Sequence, residues 1–160
     1  GGPLMHVIAA KAAAFKEALS DDFKEYSRQT LLNAKAICSS LKDNNFEVVS
    51  GDTSCHMLLI DLSNKGITGK LAEKALDDAG ITCNKNSIPF DNKSPFVTSG
   101  IRIGTAAGTT RGFKEEHFKC IGNLISEVID SLKKSDDEIL KTAELVRSKV
   151  LDLCNKFPLY

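Results

Sequence analysis

The chain has 160 residues, which suits one domain, or one domain together with a helix from a neighbouring domain. Lysine and arginine together number 21, as do aspartate and glutamate, so the formal net charge at pH 7 is zero. This balance argues against a broad electrostatic surface for nucleic acid or anionic lipid, and no apolar run approaches the roughly 20 residues that span a bilayer.

Two helices are predicted at the start of the chain. The first covers residues 3–19, where apolar side chains recur at the 3.6-residue period. Its apolar stripe consists of Leu4, Ile8, Phe15 and Leu19. The second covers residues 21–41, because Ser20 offers an N-cap and Asp43-Asn44-Asn45 breaks the helix. Its apolar stripe consists of Phe23, Thr30, Ala34, Ile37 and Leu41.

Two strands, a third helix and a further brief strand are predicted next. Residues 46–50 form a short strand, and the apolar run over residues 56–62 predicts a strand buried on both faces. The turn between these two strands is short enough for a hairpin. Thr68 caps a helix that ends at Gly80, and residues 81–84 form the brief strand.

An irregular loop is predicted over residues 85–98, because its two prolines exclude a helix and disfavour a central strand. A strand over residues 100–105 follows and carries Arg102. A short polar bend or turn of helix over residues 106–112 connects this strand to the helices that follow.

Two long helices close the chain, over residues 114–133 and 135–157. The second begins at a capping box formed by Ser135 and Glu138. Its inward stripe has heptad-like spacing and consists of Ile139, Ala143, Val146, Val150, Leu153 and Phe157. The order of elements predicts an α+β fold, in which a small, mostly antiparallel sheet has helices packed on one face.

The cysteines and histidines do not form a recognisable site. Five cysteines lie at positions 38, 55, 83, 120 and 154, never in C-x-x-C spacing, so we expect buried or half-buried free thiols in a reducing compartment. The three histidines are far apart, and no H-x-x-x-H or E-x-x-H pair occurs. No metal site is therefore predicted.

The start of the chain, Gly1-Gly2-Pro3, lacks an initiator methionine. It also lacks the charged and apolar segments of a signal peptide, so we expect it to mark a truncation point. Free N–H groups at the start of the first helix suit an anion such as phosphate. Most helix starts, however, bind only water or a capping side chain.

Arg102 is the candidate ligand-binding residue, since its guanidinium can bind a carboxylate through two parallel hydrogen bonds. Gly100 and Gly104 flank it and are expected to leave room above the backbone for a ligand. The alternative is a surface or interdomain salt bridge, and spacing alone favours that alternative. The long loop offers Asn86 and Lys93 as polar contacts, although a solvated surface loop is again the simpler interpretation.

Four segments of the chain carry a resemblance to a known family. They are Gly1–Ala12, Asn84–Pro89, Ser94–Thr105 and Thr109–Phe113. They resemble serine hydroxymethyltransferases, which are pyridoxal-phosphate enzymes of fold type I, and they occur in the family's order across nearly the whole chain. By this resemblance, residues 1–20 are a helix of the large cofactor-binding domain, and residues 21–160 are the C-terminal small domain.

The resemblance implies an activity and a substrate site. The family interconverts serine and glycine, with pyridoxal phosphate as the electron sink and tetrahydrofolate as the carrier of the one-carbon unit. Arg102 would bind the carboxylate of the amino acid. Asn86, Ser94, Pro95 and Phe96 would belong to the folate site.

The resemblance also implies an assembly. Gly1 and Gly2 would contact the cofactor phosphate bound to the other subunit of a cytoplasmic homodimer or homotetramer, and Arg111 would help to keep the active site ordered. The Schiff-base lysine of the family is absent, because neither Lys11 nor Lys85 lies in its motif. We therefore expect the chain alone to be inactive. Ala106 stands where the family commonly has proline, so the bend after Arg102 is expected to be less rigid.

Two other functions are compatible with the residues. The chain could be a non-catalytic binding or interaction domain that shares the family fold, and the reading frame upstream would distinguish this from part of an enzyme. It could also belong to another pyridoxal-phosphate enzyme, such as an aminotransferase, that presents a carboxylate-binding arginine. The Asn84–Pro89 loop argues against the aminotransferase, since that enzyme has no use for a folate site.

Overall fold

The computed structural model describes residues 2–159 and shows an α+β fold. The helices are α1 (Met5–Ala18), α2 (Asp21–Asp43), α3 (Gly69–Asp78), α4 (Ala106–Thr110), α5 (Glu115–Ser131) and α6 (Asp136–Asn155). The strands are β1 (Glu47–Val48), β2 (Met57–Asp61), β3 (Asn84–Asn86) and β4 (Gly100–Gly104). Across these residues no helix is long and apolar enough to cross a membrane.

The four strands form one antiparallel sheet in the order β1-β2-β4-β3. Central strands β2 and β4 pair along their whole length, with Leu59 opposite Arg102. One face of the sheet is covered, because its side chains join the core formed by α2, α3 and α5. That buried face consists of Val48, Leu58, Ile60, Ile101 and Ile103. The predicted layer arrangement, with helices on one face, is confirmed.

In the described part of the chain no helix packs on the opposite face of the sheet, and this corrects the prediction of a strand buried on both faces. Met57, Leu59 and Asp61 of β2 are only half-buried there, while Leu58 and Ile60 are buried. The apolar run over residues 56–62 therefore overstates burial, because Leu59 lies on the open face next to Arg102.

The third predicted strand is displaced by the end of α3. Gly80 has a φ of 80°, and the N–H of Ile81 donates to the carbonyl oxygen of Leu76 at 2.8 Å, which is the hydrogen bond that closes a Schellman motif. The apolar side chain at position 81 thus belongs to the helix cap and packs on the core. Pairing with β4 begins only at Asn84, in a polar segment that strand propensity does not identify.

The predictions about helix N-caps and about the burial of cysteines are confirmed in part. Ser20 and Thr68 accept hydrogen bonds from Phe23 and Leu71 and cap their helices as predicted. The capping box at Ser135 is wrong in detail, because its hydroxyl donates to the Glu138 carboxylate at 2.9 Å and accepts no hydrogen bond from a backbone N–H of the helix. Two of the five cysteines, Cys55 and Cys120, are exposed and not buried or half-buried as expected.

Candidate functional site

Arg102 lies on β4 and projects from the open face of the sheet, where it is exposed. Its guanidinium is 3.5 Å from Oδ1 of Asn84, the residue opposite it on β3, which is the long limit of a hydrogen bond. Within residues 2–159 it forms no ion pair, so the salt-bridge alternative has no partner in this part of the chain. The guanidinium is therefore available to an anionic ligand.

Asn86 lies on the same face of the sheet as Arg102. It pairs with Gly100, two residues before Arg102, so the two side chains are diagonal neighbours with Cβ atoms about 7–8 Å apart. The Asn86 amide donates to the carbonyl oxygen of Ser87 at 2.7 Å, which fixes its orientation. A polar group and a cation thus share one surface.

The two glycines beside Arg102 have different roles. At Gly104 the nearest atom to an added Cβ would be 3.8 Å away, so the space above the backbone is open as predicted. At Gly100 an added Cβ would lie 2.6 Å from the carbonyl oxygen of Ile60 and 2.8 Å from a methyl group of Ile88. The prediction for Gly100 is wrong, because Ile88 fills the space expected for a ligand.

Asp91 organises the irregular loop over residues 87–99. Its carboxylate accepts hydrogen bonds from the N–H of Ile88 (3.3 Å), the N–H of Lys93 (2.9 Å), and both the N–H (2.8 Å) and hydroxyl (2.7 Å) of Ser99. These donors, first of all the Lys93 N–H, outweigh partial burial and lower the pKa of the Asp91 carboxyl to about 2. Asp91 was not among the residues selected from the sequence.

The segment Ser94-Pro95-Phe96 forms a turn, since the carbonyl oxygen of Ser94 accepts hydrogen bonds from Val97 and Thr98, each at 3.0 Å. Phe96 is 81% exposed. It lines a cleft of about 600 Å³ on the α3 side of the sheet edge, together with Lys70, Glu73, Lys74, Asp77, Cys83 and Lys85. The Ser94-Pro95-Phe96 turn and the surface around Arg102 thus lie on the two sides of the sheet edge that β3 forms.

A buried polar network fixes the chain that follows Arg102. The hydroxyl of Thr105, which is fully buried, donates to the carbonyl oxygen of Thr30 at 3.0 Å, and its N–H donates to that of His56 at 2.8 Å. The fully buried amide of Asn33 donates to the Thr109 hydroxyl at 2.8 Å and to the carbonyl oxygen of Phe113 at 2.9 Å. Helix α2 therefore holds the end of β4 in place.

Arg111 is bound to the last turn of α6. Its Nε donates to the carbonyl oxygen of Phe157 at 2.8 Å, and its Nη2 to that of Cys154 at 3.1 Å. The Phe157 ring packs edge-on against Phe113 and His117, with centroids 5.1 and 4.7 Å away. The role that the resemblance implies for Arg111 stays a prediction, but its contacts are with α6 and not with the Arg102 surface.

The remaining candidates lie at the start of the chain. Gly1 is outside the described residues. Gly2 has a φ of 95° and no atom within 4 Å of an added Cβ, so its backbone is open to a ligand. It precedes α1, none of whose residues is buried. Among residues 2–159 no cluster of three His, Cys, Asp or Glu side chains is placed to hold a metal ion.

Comparison with known proteins gives consistent matches. The family model for serine hydroxymethyltransferase matches residues 1–125. The serine hydroxymethyltransferases of Novosphingobium aromaticivorans and Bartonella henselae are 56% and 57% identical over 161 and 162 aligned residues. A probable serine hydroxymethyltransferase of Rickettsia bellii is 53% identical over 160 residues. All of this chain is covered, but only 37%, 37% and 38% of the three relatives.

Proposed function

Because the chain belongs to the serine hydroxymethyltransferase family, we propose that it forms the C-terminal part of an enzyme that interconverts serine and glycine. The one-carbon unit would pass to or from tetrahydrofolate. The chain spans a little over a third of the length of the curated relatives it matches, so the large cofactor-binding part of the enzyme would be supplied by residues outside this chain.

The observation that carries the proposal is the position of Arg102. A guanidinium on an open sheet face, without a carboxylate partner in residues 2–159, is suited to an anionic ligand that lies above that face. Serine and glycine both carry a carboxylate, which the planar guanidinium can bind through two parallel hydrogen bonds. The Asn84 side chain, 3.5 Å away, would orient the guanidinium.

We assign the folate contacts to Asn86 and the Ser94-Pro95-Phe96 turn. Asn86 offers amide groups on the same face as Arg102, and Phe96 offers an exposed aromatic ring at the same sheet edge. A folate molecule combines a flat ring system with polar groups, so an aromatic ring and hydrogen-bonding side chains on the two sides of one sheet edge suit it.

Pyridoxal phosphate, when bound, supplies an electron sink for the bond that breaks at Cα of the amino acid. Gly2 fits a contact with the cofactor phosphate, because its backbone is unobstructed and a phosphate is bound well by free N–H groups. In this proposal Gly1 and Gly2 serve the cofactor of the other subunit in a homodimer or homotetramer. Arg102 fixes the amino acid through its carboxylate, and so determines which bond at Cα faces the electron sink.

The test is substitution of Arg102 in the full-length enzyme. Arg102→Ala removes the charge and the planar fork, so we expect kcat/KM for serine to fall by about two to three orders of magnitude, equivalent to about 3–4 kcal/mol. Arg102→Lys keeps the charge without the fork and should recover only part of that loss. Cofactor binding, followed by visible absorbance, should persist.

The matched control is Arg28→Ala, which removes an exposed arginine of α2 that pairs only with its helix neighbour Glu25. It should leave kcat/KM near that of the unsubstituted enzyme. A near-normal kcat/KM for Arg102→Ala would contradict the carboxylate assignment. The 160-residue chain alone should show no turnover with serine, tetrahydrofolate and pyridoxal phosphate, because it has no lysine in the Schiff-base motif.

A further inference from the structure

The loop over residues 87–99 has a defined conformation that its sequence alone does not explain. Its ends are adjacent, because Asn86 pairs with Gly100 across β3 and β4. Two of its residues, Phe90 and Thr98, have φ values of 59° and 57°, in the left-handed region that favours glycine. Such residues persist only where surrounding contacts hold them, so something must fix this loop.

The second half of the loop is held by the backbone of neighbouring elements. The carbonyl oxygens of Val97 and Thr98 accept hydrogen bonds from the start of α3, at Lys70 (2.9 Å) and Gly69 (3.0 Å). The carbonyl oxygen of Ser99 accepts another from Leu62 at 3.0 Å. The C-terminal end of this half is therefore tied to α3 and to Leu62, whereas the Ser94-Pro95-Phe96 turn continues directly from the residues that Asp91 holds.

The first half of the loop depends on one side chain. The Asp91 carboxylate joins Ile88 and Lys93 to Ser99 through the four hydrogen bonds given above. The Lys93 ammonium adds a hydrogen bond to the Ser99 hydroxyl at 3.1 Å. Ile88 is the residue that packs over Gly100 next to Arg102, so the carboxylate also determines how the loop covers the open sheet face.

We propose that Asp91 is a positioning residue that holds residues 87–93, the segment connecting Asn86 to the Ser94-Pro95-Phe96 turn, against Ser99, and thereby sets how these two parts of the tetrahydrofolate surface lie relative to each other. The inference rests on the proposed function, because it concerns the folate site of that enzyme. Asp91 acts through the loop and makes no contact with substrate itself. Replacing the carboxylate by an amide leaves one acceptor oxygen, so at least one of the Ile88 and Lys93 N–H groups loses its acceptor and this half of the loop can move.

The experiment compares Asp91→Asn with Asp152→Asn in the full-length holoenzyme. Asparagine has the same size, but its charge is lost and its NH₂ group opposes the N–H donors. Asp152 is an exposed carboxylate of α6 and serves as the matched control. Three quantities are measured: KM for tetrahydrofolate, affinity for glycine by cofactor absorbance, and hydrogen exchange of the Ile88 and Lys93 amides.

Asp91→Asn should raise KM for tetrahydrofolate about tenfold or more, because a binding surface displaced by an ångström loses much of its complementarity. Glycine affinity should change by about twofold at most, since the pairing of β4 with β2 and β3 holds Arg102 and does not depend on Asp91. At least one of the Ile88 and Lys93 amides should exchange faster, while the Gly69 and Lys70 amides should not. Asp152→Asn should change none of these.

An unchanged KM for tetrahydrofolate in Asp91→Asn would overturn the inference. Equal losses of folate and glycine affinity would also overturn it, because they would indicate a general effect on folding. If the unsubstituted enzyme shows no serine-dependent turnover, the proposed function fails and the folate role fails with it. The exchange measurement then still tests whether the carboxylate holds the loop.

Discussion

Phe90 combines an unfavourable backbone conformation with an exposed apolar side chain. Its φ of 59° lies in the left-handed region, and its side chain is fully exposed at 100%. Asparagine tolerates this backbone conformation better than phenylalanine, so Phe90→Asn should raise the free energy of unfolding by about 1 kcal/mol in urea denaturation. Phe96→Asn is the control, because Phe96 is also exposed but is not among the left-handed residues of 2–159. Equal effects of both substitutions would show that exposure, and not strain, determines the change.

The role of an individual residue could be predicted only where the chemistry of its side chain indicates that role. Arg102 was selected from its chemistry and its flanking glycines, and its exposed place on the strand agrees with that choice. Asp91 was not selected, because its local sequence indicates only a turn to Lys93, whereas its role depends on Ser99 eight residues away. Asn33 was missed for the same reason, since both its amide donors bind residues of α4 and the segment after it.

Helices and central strands could be predicted from periodicity, because they bury one apolar stripe. Helix α6 follows its predicted stripe, in which Val146 is buried and Ala143, Val150 and Leu153 pack against the core. The edge strand β3 could not be predicted from periodicity, because its residues are polar and only its pairing with β4 defines it. Likewise Phe23, assigned to the inward stripe of α2, is 38% exposed, because the core ends before the first turns of that helix.

The end of α6 depends on Arg111. Its guanidinium binds two carbonyl oxygens at a helix C-terminus, where a positive charge also interacts favourably with the helix dipole. Arg111→Ala should therefore lower the free energy of unfolding by about 1–3 kcal/mol in urea denaturation. Arg147→Ala is the control on the same helix, because Arg147 is exposed and makes one hydrogen bond, of 3.2 Å, to Asp78. If the two substitutions cost the same, Arg111 does not anchor α6.

Helix α1 gives the whole molecule an exposed apolar surface. Its stripe is uncovered, with exposed fractions of 60% at Leu4, 46% at Ile8, 67% at Phe15 and 80% at Leu19. By resemblance this helix belongs to the large domain, so the 160-residue chain alone should self-associate through it. Sedimentation at micromolar concentrations should show oligomers. Combined Ile8→Glu and Phe15→Glu substitutions should yield monomers, whereas Leu151→Glu, at a 55% exposed position of α6, should not.

A strictly monomeric chain with α1 in solvent would contradict this prediction. Oligomers that persist after the two α1 substitutions would place the association elsewhere. An apolar groove of about 420 Å³ between α3, α5 and α6 is then the next surface to test, through Leu71 and Leu140 at its rim.

The packing of α2 against α5 also has a consequence for synthesis on the ribosome. These two helices, Asp21–Asp43 and Glu115–Ser131, cover the sheet together. In sequence, however, the last residue of one lies roughly 90 residues from the last residue of the other. At about 5–20 residues per second, Ile37 and Leu41 emerge roughly 5–20 seconds before the side chains that bury them. During that interval the nascent chain presents the uncovered apolar face of α2 to solvent, so we expect a chaperone to be able to bind it there.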